Sequence, residues 1–368
     1  MKNTADHESA VFFLSLSVCL LAAFTKKCIL TKFLCLKYTL IQKYFVYLQP
    51  MRRTPNLTNA ILLIVIMTLM TLTTRAEKFV FTTGWTAQAQ FAGYYVAKEK
   101  GYYKELGLDV EILHPSLMSG PLNRLKTNVT DATMFSLMSA MDLISQGYPL
   151  VNIFQDSMNS SNLLISRWDT DPLKMIGKKV AIFNSDPNYL TFIMSKKEHM
   201  NYEWVRFTSN INLFLSGAVD ATMAVSYNEY FLLKQAGFKM SEESIYRFSE
   251  NDYNIQEHGV YVMHDYFNKH RDACRKFAAA SRKGWEWTAK HPAEALEIVM
   301  KYVRKENAAT NRVMQELMLG EVLRLQIDRE SHKREFKVRR DMVEKASRMM
   351  MESGMLRRPV TYQELMGL

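Results

Sequence analysis

Four short segments gather hydroxyl, amide, carboxylate and aromatic side chains: Gly84-Trp-Thr-Ala-Gln-Ala-Gln90, Ser136-Leu-Met-Ser139, Asn184-Ser-Asp-Pro-Asn-Tyr189 and Ser226-Tyr-Asn-Glu-Tyr230. Such groups suit the capture of a flat polar heterocycle. Aromatic faces offer stacking area, amides and hydroxyls offer directional hydrogen bonds, and a carboxylate can hold an amine. The expected roles are stacking by Trp85 and Tyr189, hydrogen bonding by Gln88, Gln90, Ser139, Asn184 and Asn228, and amine pairing by Glu229. Ser185 and Tyr227 complete the candidate binding set. The competing reading makes Trp85, Tyr94 and Tyr95 core residues and Glu229 a solvated helix residue. No catalytic residue and no metal ligand is expected. His258 and His264, six apart, match no compact metal spacing, and the chain has no GxGxxG, P-loop, GxSxG or HExxH pattern. The basic run Lys333–Arg340 reads as a solvated helix face.

These segments must be held by elements, and the chain alternates strand-like and helix-like runs. Strands are expected over Lys78–Thr82, Gly107–Leu113, Ala132–Phe135, Leu150–Gln155 and Leu163–Arg167, then over Lys178–Phe183, Tyr202–Phe207 and Asp220–Val225. Helices are expected between them, including Phe91–Lys104, Ser139–Gln146, Tyr189–His199 and Tyr227–Ala236. The pattern runs twice, which predicts two α/β lobes with largely parallel sheets. From Phe267 onward the chain reads as nearly all helical, with Arg271–Lys290, Pro292–Val303, Asn311–Leu325 and Arg339–Gly354 as the main helices. All four polar segments follow strands, where open α/β sheets bind ligands.

Composition excludes several classes. Hydrophobic residues make up 48% and charged residues 23% of the 368, a globular mix with too few Gly (14) and Pro (9) for a long flexible linker. The net charge of +10 suggests a polyanion partner until it is divided along the chain. Residues 1–50 carry +4, residues 51–76 carry +3, and the remaining 292 residues only +3. No nucleic-acid partner is expected. Met51-Arg-Arg53, the apolar run Ala60–Leu72 and Thr74-Arg-Ala76 have the layout of a secretory signal cleaved near Ala76. Residues 1–50 fit no such layout and read as a non-native extension preceding the true start at Met51. Retention of Ile61–Leu72 as a membrane anchor is the alternative to cleavage. Cys19, Cys28 and Cys35 precede Met51, so Cys274 stands alone in the exported part, and no disulfide can form within it.

The block Trp85 with Ala87-Gln-Ala-Gln-Phe-Ala-Gly-Tyr-Tyr-Val-Ala-Lys-Glu-Lys-Gly101 resembles the opening of substrate-binding proteins for sulfonates and thiamine-pyrimidine precursors. That superfamily also contains the fungal thiamine-pyrimidine synthases. Gly177-Lys-Lys-Val-Ala181, Gly217-Ala-Val-Asp-Ala221 and Glu257-His-Gly-Val-Tyr261 add to the resemblance, which spans about residues 78–300. It implies a two-lobed periplasmic-binding-protein fold of type II with a helical C-terminal region. Lobe 1 would be residues 77–165 with 263–368, and lobe 2 residues 166–262, crossing at Ile165–Arg167 and Val260–Val262. It further implies a periplasmic monomer that closes on a small molecule and delivers it to an ABC permease of the inner membrane, with no cofactor. The rival implied by the same resemblance is a pyrimidine synthase using pyridoxal phosphate, histidine and iron. Gln90-Phe91 departs from the Asn-x-x-His-Ala-Gly pattern of the pyrimidine binders, and Cys274 alone departs from the cysteine cluster of the synthases.

Overall fold

The computed structural model describes residues 76–115, 120–184, 188–207 and 211–368. The chain divides into Met1–Thr73 and Thr74–Leu368, and all that follows concerns the second unit. The expected signal segment and the preceding extension thus lie outside the described residues, as does Ser185. No helix among the described residues is long and apolar enough to cross a membrane.

The first sheet is built from β1 (Glu77–Thr82), β2 (Leu108–Leu113), β3 (Ala132–Ser136), β4 (Leu150–Gln155) and β10 (His258–Met263). Its order is β2-β1-β3-β10-β4. The second sheet holds β5 (Asn162–Ser166), β6 (Lys179–Phe183), β7 (Glu203–Phe207), β8 (Ala221–Val225) and β9 (Ile245–Arg247) in the order β7-β6-β8-β5-β9. Each sheet has a parallel half, β2-β1-β3 and β7-β6-β8. The strand that arrives from the other lobe runs antiparallel to both its neighbours: β10 between β3 and β4, and β5 between β8 and β9. The sheets are therefore mixed, where alternation of strand and helix predicted largely parallel ones. The cause is the double crossing, because a strand returning from a neighbouring lobe needs no crossover helix and can enter in either direction. The crossings also fall earlier than expected. Asn162–Ser166 pairs within the second sheet and His258–Met263 within the first, so the connecting segments are 156–161 and 254–257.

Helices cover both sheets: α1 (Ala92–Glu99), α2 (Tyr102–Glu105), α3 (Pro121–Lys126) and α4 (Leu137–Ser145) in lobe 1, then α5 (Tyr189–Lys197), α6 (Asn212–Leu215) and α7 (Glu229–Gln235) in lobe 2. The single helix expected over 91–104 breaks at Gly101, whose φ of +76° closes α1 and opens α2. The helical end comprises α8 (His264–Lys269), α9 (Arg271–Lys290), α10 (Pro292–Lys305), α11 (Arg312–Leu325), α12 (Arg340–Glu352) and α13 (Tyr362–Met366). Lys333–Lys337 is irregular chain, not the expected helix face. Arg339, just beyond it, is mostly buried and bonds to Asp328, Glu330 and Asp341 at 2.9, 2.7 and 2.6 Å.

The core of lobe 1 follows from alternation on β1. Phe79 and Phe81 point inward and meet Phe277 of α9 at ring distances of 4.7 and 5.2 Å, while Phe81 also meets Tyr94 of α1 at 4.8 Å. Tyr94 and Tyr95, both buried, thus belong to the core. Helices α1 and α9 cross where Gly93 faces Trp285 and Gly284 faces Gly93. A Cβ on Gly93 would lie 2.2 Å from the Trp285 ring, and one on Gly284 would lie 2.1 Å from the Gly93 carbonyl. In lobe 2, Leu163, Leu164 and Ile165 of β5 pack with Val180, Ile182, Met223 and Ala224.

Candidate functional site

The strands of both lobes deliver their polar loops as the alternation required. In lobe 1, the Thr83 hydroxyl donates to the Trp85 carbonyl at 2.8 Å and shapes the turn after β1. That turn leaves the Trp85 side chain 42% exposed, available as a stacking face. Gln88 has extended backbone and precedes a 3-10 turn, Ala89–Phe91, that the Phe91 amide closes on the Gln88 carbonyl at 3.1 Å. The turn brings the two glutamines together: Gln88 Nε2 donates to Gln90 Oε1 at 2.7 Å, and both are buried. After β3, Ser136 caps α4 by accepting the Ser139 amide at 3.2 Å, which sets Ser139 in the first turn.

In lobe 2, Asn184 is exposed, and its amide donates to the Phe207 carbonyl at 2.8 Å. Asn188 brackets the loop from the far side. Its Oδ1 accepts the Phe183 amide at 3.1 Å and its Nδ2 donates to the Phe183 carbonyl at 2.6 Å, so the end of β6 and the start of α5 are clasped. Tyr189 has a partner that sequence reasoning did not foresee: its hydroxyl donates to Asp142 Oδ2 of α4 at 2.9 Å, a bond from lobe 2 to lobe 1. Asn228 and Glu229 form a unit. Asn228 Nδ2 donates to Glu229 Oε1 at 2.7 Å, and the Val225 amide donates to Oε2 at 3.0 Å. Burial raises the Glu229 pKa, against the lowering effect of the Val225 bond. Tyr227 is buried beside Glu257, Glu229 and Asp156, and burial together with those carboxylates pushes its phenol well above the ordinary range.

The connecting segments add residues that were not among the candidates. Glu257 accepts the Ser160 and Ser161 hydroxyls at 2.6 Å each and Asn162 Nδ2 at 2.8 Å, so one carboxylate of the second crossing ties up the first. Its own carbonyl accepts the Leu137 amide at the start of α4 at 2.8 Å. Asp156 is buried and accepts the Tyr94 hydroxyl at 2.9 Å. Burial pushes its carboxyl up to about 6, opposed by His258 and by the Tyr94 bond. The signal for Glu257 lay in the block Glu257–Tyr261, but its partners stand some 95 positions away, and spacing alone does not connect them. Nothing in the sequence marks Asp156 beyond its place after a strand.

The structure therefore joins Gln88 to Gln90 and Asn228 to Glu229, puts Tyr227 among three carboxylates, and ties Tyr189 to the opposite lobe. It gives Trp85 and Asn184 exposed positions. His258 is half-buried at the start of β10. Cys274 is buried in lobe 1, where burial first, then Asp131 and Glu77, pushes its thiol up to about 12. The four loops and both connecting segments contain no lysine or arginine, yet they hold Asp156, Asp186, Glu229 and Glu257. One arginine of α3, Arg124, reaches the end of β1, where it donates to Thr82 Oγ1 at 3.3 Å.

Comparison with known proteins places the chain by family and fold. The family model described as NMT1/THI5 like matches residues 88–295. The chain is similar to a formylaminopyrimidine-binding protein of Halalkalibacterium halodurans, 27% identical over 232 residues that span 59% of this chain and 68% of that one. It is also similar to the putative binding protein YtlA of Bacillus subtilis, 22% identical over 57% of this chain and 66% of that one. Among solved structures, the periplasmic aliphatic sulphonate binding protein SsuA of Escherichia coli superimposes with a TM-score of 0.57 at 13% identity. That superposition covers 78% of this chain and 91% of SsuA, and it shows a shared periplasmic-binding-protein fold.

Proposed function

Because this chain belongs to the NMT1/THI5-like family, we propose that it is an exported solute-binding protein. It captures an amine-bearing heteroaromatic molecule of the thiamine-pyrimidine-precursor kind and presents it to an ABC permease. The observation that carries the choice of ligand is the charge of the candidate loops and connecting segments: four carboxylates and no lysine or arginine. A sulfonate in such surroundings meets carboxylates, whereas a neutral or protonated aminopyrimidine meets acceptors suited to its N–H groups. The Glu229 carboxylate accepts from the Val225 amide, the Asn228 side chain and its own backbone N–H, which leaves acceptor capacity for a ligand amine. Trp85 supplies a stacking face, and the Gln88–Gln90 pair, Ser139, Asn184, Ser185, Tyr227 and Asn228 supply directional hydrogen bonds.

The mechanism is closure. Ligand held by loops of both lobes binds the closed arrangement better than the open one and shifts the balance toward the form a permease engages. The protein works as a monomer and needs no cofactor for this.

Calorimetry against a formylaminopyrimidine and an alkanesulfonate tests the reading. Saturable one-to-one binding of the pyrimidine and no heat from the sulfonate are expected. Binding of the sulfonate in preference, with Arg124 as the obvious anchor, overturns it.

A further inference from the structure

The first candidate loop is held by a residue that lies beyond the segment, 88–295, matched by the family model. Gln315, on α11, is 1% exposed. Its Oε1 accepts the Ala89 amide at 2.6 Å, and its Nε2 donates to Thr310 Oγ1 at 2.8 Å. Ala89 stands between Gln88 and Gln90, whose side chains bond to each other at 2.7 Å. A loop whose central amide is fixed by a buried side chain presents the flanking side chains in one orientation. The same amide left unpaired would pull the loop toward water, since a buried donor without a partner is costly. The neighbouring residue on α11, Met314, lies against lobe 2, with Gln235 Nε2 of α7 3.9 Å from its Sδ. Helix α11 thus touches the 3-10 turn of one lobe and α7 of the other. Helix α7 begins at Glu229.

We propose that Gln315 is a positioning residue for ligand capture: it fixes the Gln88–Gln90 pair through Ala89, and α11 is a structural part of the binding site. This rests on the reading that the first loop contacts the ligand. Gln315 does not touch the ligand itself. Its effect passes through the backbone of a 3-10 turn more than two hundred residues earlier in the chain, which is why no local motif announces it.

Amide exchange on the full exported chain tests the role without any ligand. In the wild-type protein the Ala89 amide is expected to exchange at least tenfold more slowly than the Thr86 amide of the same loop. In Gln315→Leu, which keeps the bulk and removes the acceptor, Ala89 protection should fall to the level of Thr86 while β1 stays protected. Affinity for a formylaminopyrimidine should fall about tenfold. Thr310→Val removes the second anchor of the Gln315 amide and serves if the leucine variant does not fold. It should lower Ala89 protection by a smaller factor. An unprotected Ala89 in the wild type, or unchanged protection in Gln315→Leu, overturns the positioning role. A wild-type protein that ignores the pyrimidine overturns the functional reading instead, and the exchange measurement still decides the role of Gln315.

Discussion

Asp156 is subject to opposing influences. Burial favours its neutral form, while the Tyr94 hydroxyl and nearby His258 favour the carboxylate, and the outcome is a carboxyl pushed up to about 6. Its folded pKa lies above the ordinary value of 3.8, so the folded state binds this proton more tightly than the unfolded chain. The associated stability is complete below the ordinary pKa and is lost as the pH rises through about 6. The loss is on the order of 3 kcal/mol across that window. Asp156→Asn should flatten the melting-temperature profile between roughly pH 4 and 6, the window set by those two pKa values. A variant whose profile parallels the wild type would place the titration elsewhere.

Among the elements, the crossing of α1 and α9 is the least tolerant contact. Gly93 and Gly284 let the helices approach until Trp285 lies over Gly93. Gly93→Ala forces the indole and both helices apart and should cost roughly 1–3 kcal/mol or more, read as a lower denaturation midpoint. Strand positions were legible because runs such as Phe79–Phe81 and Val180–Ile182 combine β-forming residues with clear breakers, and α9 was legible to the residue. Strand β9 is three residues long and left no pattern. Strand β10 was not among the expected strands either, and its direction depends on where the chain returns and not on composition. The geometry of the candidate site was half legible. The loop residues were visible as clusters of side-chain types at strand ends, but the partners of Tyr189, Glu257 and Ala89 are long-range pairings with no periodic trace.

At the scale of the molecule, the two lobes are joined on several fronts. Glu257 ties the two connecting segments together, and the Asn159 amide donates to the carbonyls of Leu325 and Ile327 at 3.1 and 2.7 Å. The Gln256 side chain bonds to the Lys337 carbonyl and the Arg339 amide. Helix α11 reaches both lobes along one flank, and α12 packs on α4 and α5 along another. A lobe closure of the kind proposed would therefore carry the C-terminal helices along. Under the proposed closure, the Tyr189–Asp142 bond between the lobes would act as a latch. Tyr189→Phe should speed ligand dissociation about fivefold, in line with the loss of roughly 1 kcal/mol for one hydrogen bond, with a smaller change in the association rate. Stopped-flow measurement separates the two, and an unchanged dissociation rate would assign the bond no part in closure.

The placement of β10 between β3 and β4 also has a bearing on biosynthesis. Strand β4 pairs with β10 alone, so the earlier-made lobe has a gap in its sheet until residues 258–263 arrive. The later-made lobe draws its whole sheet from one continuous stretch, 162–247. As the chain emerges, the half synthesised second is the one that can mature first, and its predecessor must wait, with an open edge at β3, for the returning strand to complete it.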